Sequence, residues 1–155
     1  MTIICLSPHF DDAILSCGGQ LLQYRQAGTP VTIVNIVTRT TSQFYSSRPL
    51  KFKAQSLDYE RKEEERQAIS LLDLQSEDLA LMDAPFRNPR YRSYHCLMGA
   101  IPQDEQTTIN KLVNQVQDIA FQLKPTLILA PLAVGQHIDH QIVHQAGRIL
   151  QKEHP

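Results

Sequence analysis

Four short apolar runs without polar alternation constrain this chain more than anything else in it: residues 2–6, 31–37, 79–82 and 126–130. A strand apolar on both faces has to be covered on both, which is the habit of parallel sheets flanked by helices. The segments between them read at helical period. Residues 13–27 put Ile14, Leu15, Leu21 and Leu22 on one side, with Gly28 as a stop signal. Residues 57–74 carry Ala68, Ile69, Leu71 and Leu72 opposite a charged face, on which Arg61 and Glu65 have the spacing of a solvated i,i+4 pair. Residues 105–123 repeat Ile109, Leu112, Val113, Val116, Ala120 and Leu123, and residues 139–151 repeat Ile142, Val143, Ala146, Ile149 and Leu150. Residues 39–56 and 86–103 lack periodicity and are expected to be long irregular segments, of the kind that carries function. The order β-α-β-α-β-loop-α-β-α predicts an α/β fold, a Rossmann-like three-layer sandwich with a mostly parallel sheet. Right-handed crossovers give the strand order 3-2-1-4, with a ligand crevice outside the ends of strands one and four.

Charge and composition exclude several classes. The 155 residues are 42% hydrophobic, enough for one packed domain. Fifteen basic side chains against sixteen acidic ones leave no field of one sign to gather nucleic acid. The longest apolar runs are broken at Asn35 and Pro131, far short of the roughly 18 residues a membrane span needs. Cys5, Cys17 and Cys96 form no Cys-x-x-Cys pair, which disfavours a sulfur-rich zinc site or disulfide framework and suits the cytoplasm.

The unusual residues fall at the expected crevice. Strand one is followed by Ser7-Pro8-His9-Phe10-Asp11-Asp12, and strand four by Gly135-Gln136-His137-Ile138-Asp139-His140. His9 and Asp12 are three apart, as are His137 and His140, so each pair can face one centre. Carboxylate and imidazole together suit Zn²⁺ or another first-row divalent ion better than Ca²⁺ or Mg²⁺. Plainer roles compete at this stage. Asp11, Asp12 or Asp139 could cap a helix, His144 is an alternative ligand one turn beyond His140, and His95 and His154 read as incidental. Gly18-Gly19 inside a helix suggests close packing against the sheet, and no G-x-G-x-x-G fingerprint is present.

Pro8-His9-Phe10-Asp11-Asp12-Ala13-Ile14-Leu15 with Gly18-Gly19, and Gly135-Gln136-His137-Ile138-Asp139-His140, resemble the two signatures of the LmbE-like or PIG-L zinc-dependent N-deacetylases. Arg61-Lys62-Glu63-Glu64 with Ala68 and Leu72 is similar to that family's charged second helix, and Asp83-Ala84-Pro85-Phe86-Arg87 to its loop after strand three. The resemblance spans almost the whole chain. It implies that His9, Asp12 and His140 hold the metal, Asp11 is the general base, a protonated His137 stabilises the oxyanion, and Asp139 orients or tunes His137. It also implies an N-acetylated sugar or related glycoside as substrate. The family usually has Glu where this chain has Ala13, and usually continues beyond the second motif. Residues 1–155 are therefore expected to be a single domain lacking C-terminal elements.

Tyr45, Arg48, Arg87, Arg90, Tyr91 and Arg92 are expected along the substrate walls, with Asp83 as a further substrate contact. Two other readings stand beside the enzyme. One is a metal-binding, catalytically silent relative that serves as a partner-binding module. The other is a phospho-receiver domain with Asp83 as acceptor, which the histidine cluster and the long excursions fit poorly. A homo-oligomer is left open.

Overall fold

The computed structural model describes residues 1–40 and 48–153, and the side chains of 1–40 and 59–152. Strand β1 (Ile3–Ser7) lies at the centre of a four-stranded sheet beside β2 (Val31–Arg39), with β3 (Gln75–Met82) on one edge and β4 (Leu127–Leu129) on the other. Every pairing is parallel, in the order β3-β2-β1-β4. Ile3 aligns with Val31 on one side and Leu127 on the other.

Successive side chains of a strand face opposite sides, and β1 divides its residues accordingly. Ile3 and Cys5, with Ile33 of β2, pack with Ala13, Leu21, Ile69 and Leu74 under helices α1 (Asp12–Gln26) and α2 (Arg48–Leu71). Ile4 and Leu6, with Val34 and Ile36, pack on the other face with residues of helices α5 (Gln106–Leu123) and α6 (Ile138–Glu153). Between β3 and α5 lie two single-turn helices, α3 (Ala84–Arg87) and α4 (Tyr94–Leu97), and 3-10 turns at Pro89–Arg92 and Gln103–Glu105. No described helix is long and apolar enough to cross a membrane.

Four local expectations are corrected. Helix α2 begins at Arg48 rather than at residue 57. The Ser-Arg-Pro sequence there, read as a loop, places Pro49 in the first turn, the one helical position that tolerates it. Strand β3 starts at Gln75, earlier than its apolar run, because an edge strand pairs through its backbone while Gln75, Ser76, Glu77 and Asp78 face solvent. Leu15 and Leu71 are 79% and 86% exposed rather than buried with their helix faces. Gly18 and Gly19 are not at a close approach. A Cβ at Gly18 would meet only the Ile14 side chain, at an ordinary 3.7 Å, and one at Gly19 would meet nothing within 4 Å. They follow a break in α1 at Cys17, where φ −143° and ψ 16° depart from helix. The close approach is at Gly147, whose Cβ would lie 2.8 Å from that of Ala130.

Candidate metal centre

The turn after β1 is tied down by its own polar groups. Ser7 donates its hydroxyl to the His9 carbonyl (2.5 Å) and accepts from the Ala13 N–H (3.0 Å), while the Val37 N–H donates to the Pro8 carbonyl. The Asp12 carboxylate accepts from the His9 backbone N–H (2.9 Å) and lies 3.2 Å from His9 Nδ1. The same oxygen, Oδ2, is 3.2 Å from His140 Nε2 on α6. One carboxylate oxygen thus bridges two imidazoles brought from opposite ends of the sequence. The rings of His9, His137 and His140 sit at centroid distances of 5.3, 5.4 and 5.6 Å from one another.

Two overlapping triads have all their donor atoms within 4.8 Å: His9, Asp12 and His140, and His9, His137 and Asp139. The first is the ligand set that the family resemblance implied. His144 belongs to neither. Its Nδ1 meets the Pro131 carbonyl at 2.8 Å, which commits it to the loop after β4.

Electrostatics follow from this crowding. Burial alone would lower the His9 imidazole, but hydrogen bonds and charge from Asp12 and Asp139 raise it to about 10. Burial works against the Asp12 carboxylate, yet hydrogen bonds from His140 and His9 hold it well below its usual range. His137 is lowered, chiefly by burial, against the opposing charge of Asp139. The Asp139 backbone N–H points to His137 Nδ1 at 3.3 Å, so Nδ1 accepts and the ring's proton sits on Nε2. This contact and the lowered pKa favour a neutral ring at His137, where the resemblance implied an imidazolium.

Asp139 is fully buried, and its carboxylate lies within 4.8 Å of a His137 ring nitrogen, where its charge favours the protonated ring, without a hydrogen bond between the two side chains. It accepts from Arg87 (2.8 Å) and the Ala84 N–H (3.3 Å) and lies 3.4 Å from His9 Nε2. Arg87 is corrected from substrate wall to internal strut. Its guanidinium also donates to Glu105 (3.1 Å) and the Met82 carbonyl (2.7 Å). Tyr91, likewise expected at the wall, is 1% exposed and donates to Glu105 at 2.7 Å. Arg90 pairs with Asp104.

Asp11 occupies the N-cap of α1 without using its side chain as a cap, and is exposed. Asp83 is raised by burial and by Asp139, and shares a small gap with His9, Phe10, Arg39 and Arg61. Tyr45 and the Arg48 side chain lie outside the described residues.

Sequence reasoning missed Glu105, whose place under the site comes from tertiary contact alone. It also missed Glu65. The expected Arg61–Glu65 surface pair is replaced by a Glu65 that is 5% exposed and hydrogen-bonded to Asn35 of β2. Burial raises its carboxyl to about 7. An apolar flank at Ile69 was the only signal for that inward turn.

A parallel α/β sandwich with an imidazole–carboxylate cluster at its topological switch point has a donor set that could hold a divalent ion. Residues 4–150 match the family model PIG-L, described as GlcNAc-PI de-N-acetylase, and the chain belongs to that family. It is 27% identical over 175 residues to 2'-N-acetylparomamine deacetylase of Niallia circulans, covering 97% of this chain and 62% of the relative. It is 30% identical to the protein of the same description in Streptomyces fradiae, over 94% of this chain and 50% of that one. The chain thus spans half to just under two thirds of the curated relatives it matches. A solved deacetylase of the teicoplanin biosynthesis pathway superposes with a TM-score of 0.83 at 21% identity, over 99% of this chain and 63% of that one. Membership in this family sets the phospho-receiver reading aside.

Proposed function

We propose that this chain carries the catalytic centre of a metal-dependent N-deacetylase that hydrolyses the acetamide of an N-acetylated amino sugar or related glycoside. The observation that carries the reading is the convergence of His9, Asp12 and His140 on one point. The donor chemistry fits a divalent cation. Two carboxylates and three imidazoles crowd together, with His9 between Asp12 and Asp139, a concentration of lone-pair donors that suits a cation. When bound by His9, Asp12 and His140, zinc or a similar ion supplies Lewis acidity and brings a water's pKa from about 15.7 to near 7.

The chain's own residues account for the rest. Asp11, exposed and not engaged as a cap, accepts the proton of the attacking water and returns it to the departing amine. His137 donates from Nε2 to the acetamide oxygen as charge develops there, its tautomer fixed by the Asp139 N–H. Asp139 holds His9 from behind, and Arg87 holds Asp139. Asp83 and Arg48 are the proposed polar contacts to substrate. The names of the two curated relatives support an aminoglycoside-like substrate, and three free cysteines support a reducing, cytoplasmic setting.

The test is release of acetate and free amine from 2'-N-acetylparomamine and N-acetylglucosamine, with metal content measured on the same sample. Equimolar products that vanish on chelation are expected. A chain carrying one equivalent of metal that releases acetate from neither would overturn the enzyme reading in favour of a silent metal-binding module.

A further inference from the structure

A cavity of about 420 Å³ opens beside the metal centre, with Asp12 and His140 in its lining. Two thiols share that lining, Cys5 from β1 and Cys17 from α1, and their sulfurs lie 3.8 Å apart. Cys5 is 3% exposed and Cys17 half-buried. Cys17 is also the residue at which α1 leaves helical geometry, and its thiol reaches back to the Ala13 carbonyl at 3.2 Å. None of this is used by the hydrolytic chemistry above.

We propose that Cys5 and Cys17 are a redox-active dithiol that a peroxide converts to a disulfide, covalently linking β1 to α1 in the wall of the cavity shared with Asp12 and His140. The two sulfurs have distinct roles. Hydrogen bonding with Cys5 lowers the Cys17 thiol to about 7 against the effect of burial, whereas that same bond and burial push Cys5 up. Cys17, the thiol of the pair that a peroxide can reach, is therefore the attacking thiolate, and the buried Cys5 is the resolving thiol. The Cys17 thiolate attacks one peroxide oxygen, the O–O bond breaks, and Cys17 becomes a sulfenic acid with loss of hydroxide. Cys5 then attacks the Cys17 sulfur. The S–O bond breaks, and the Cys5 proton leaves with the departing hydroxide as water. Two thiols and one hydrogen peroxide give one disulfide and two waters.

Closure shortens the sulfur separation from 3.8 Å to about 2.05 Å. The break at Cys17 can take up that movement, because Gly18 and Gly19 beyond it have no tight neighbours. The link pulls on α1 less than two turns from Asp12, so the oxidised form should hold a divalent ion more weakly. That second consequence rests on the metal reading above; the first does not.

The experiment treats the purified chain with hydrogen peroxide and maps peptides without reduction. The expected product loses about 2 Da, links the Cys5 and Cys17 peptides, and reverts with dithiothreitol, while Cys96 reacts roughly tenfold more slowly. In Cys5→Ser, Cys17 should instead gain oxygen, about 16 or 32 Da, with no internal link. Wild-type Cys17 that stays reduced, or gains oxygen without linking to Cys5, overturns the proposal. Zinc titration of both forms is expected to show affinity roughly tenfold lower after oxidation. Equal affinity would overturn the coupling to the metal centre. A chain that forms the link but binds zinc in neither state leaves the dithiol standing and sinks the metal reading.

Discussion

Asp11 and Asp12 are neighbours of one type turned to different surroundings. Asp12 is bridged to His9 and His140, while Asp11 stands exposed with its carboxylate outside the cap. Asp12→Asn should therefore lose metal and turnover together. Asp11→Asn should keep the metal and lose roughly 10²–10⁴ in turnover, the worth of a positioned proton acceptor. Metal content measured beside acetate release separates the two, and native turnover in Asp11→Asn would reduce that residue to a helix start. His140→Ala should empty the site while His144→Ala leaves it filled, because His144 is spent on the Pro131 carbonyl. Arg87 is the residue on which the inner layer depends. Arg87→Met would strand two buried carboxylates, Asp139 and Glu105, and is expected to cost about 3–5 kcal/mol in urea denaturation. A variant within about 1 kcal/mol of the parent would show that Tyr91 and His9 suffice to hold them.

At the level of elements, α2 and α6 each meet the sheet through one decisive side chain or its lack. Glu65 carries its folded-state pKa at about 7, above the unfolded value, because α2 buries it and nearby aspartates add to that effect, against the opposing hydrogen bond from Asn35. The sign follows from proton binding. The folded chain holds this proton more tightly, so the contribution is complete below about pH 4.5 and is lost as pH rises through 7. Stability should fall by about 1–3 kcal/mol between pH 5 and pH 8.5, and Glu65→Gln should flatten that slope. An unchanged slope in Glu65→Gln would mean the carboxyl titrates normally. Among the described residues, Glu65 Oε1 and Asn35 Oδ1 are buried without a hydrogen-bond partner. On α6, Gly147→Ala would set a methyl 2.8 Å from the Ala130 Cβ and push the helix off β4. Its expected cost is about 1–3 kcal/mol, read from the thermal midpoint.

For the whole molecule, the two edges of the sheet are unequal. The β3 edge carries exposed Glu77, a charge that discourages strand addition, while the Asp78 carboxylate pairs with Lys62 and Asn35. Beside the three-residue β4 edge, Leu132 and Val134 are 79% and 83% exposed, in the loop that leads to the metal centre. This apolar side should make the 155-residue chain self-associate with rising concentration. Replacing Leu132 and Val134 with lysine should return it to monomer in light scattering. A parent chain that stays monomeric at high concentration would show that this edge is not adhesive.

The strand order and the meeting of two distant histidine–aspartate motifs were legible in the chain because each rests on a local pattern. Apolar runs without alternation require a sheet covered on both faces, and right-handed crossovers then bring the ends of β1 and β4 together. The grouping of His9, Asp12 and His140 was legible for the same reason, since all three sit beside those ends. What lies behind the triad was not. Arg87, Tyr91 and Glu105 looked like polar loop and helix-start residues, Glu65 looked like one charge on a solvated face, and Cys5 and Cys17 looked unrelated. Local periodicity records which side of an element is apolar. Which charge goes inside depends on a partner supplied by another element, and only the packed tertiary structure brings that partner within hydrogen-bonding distance.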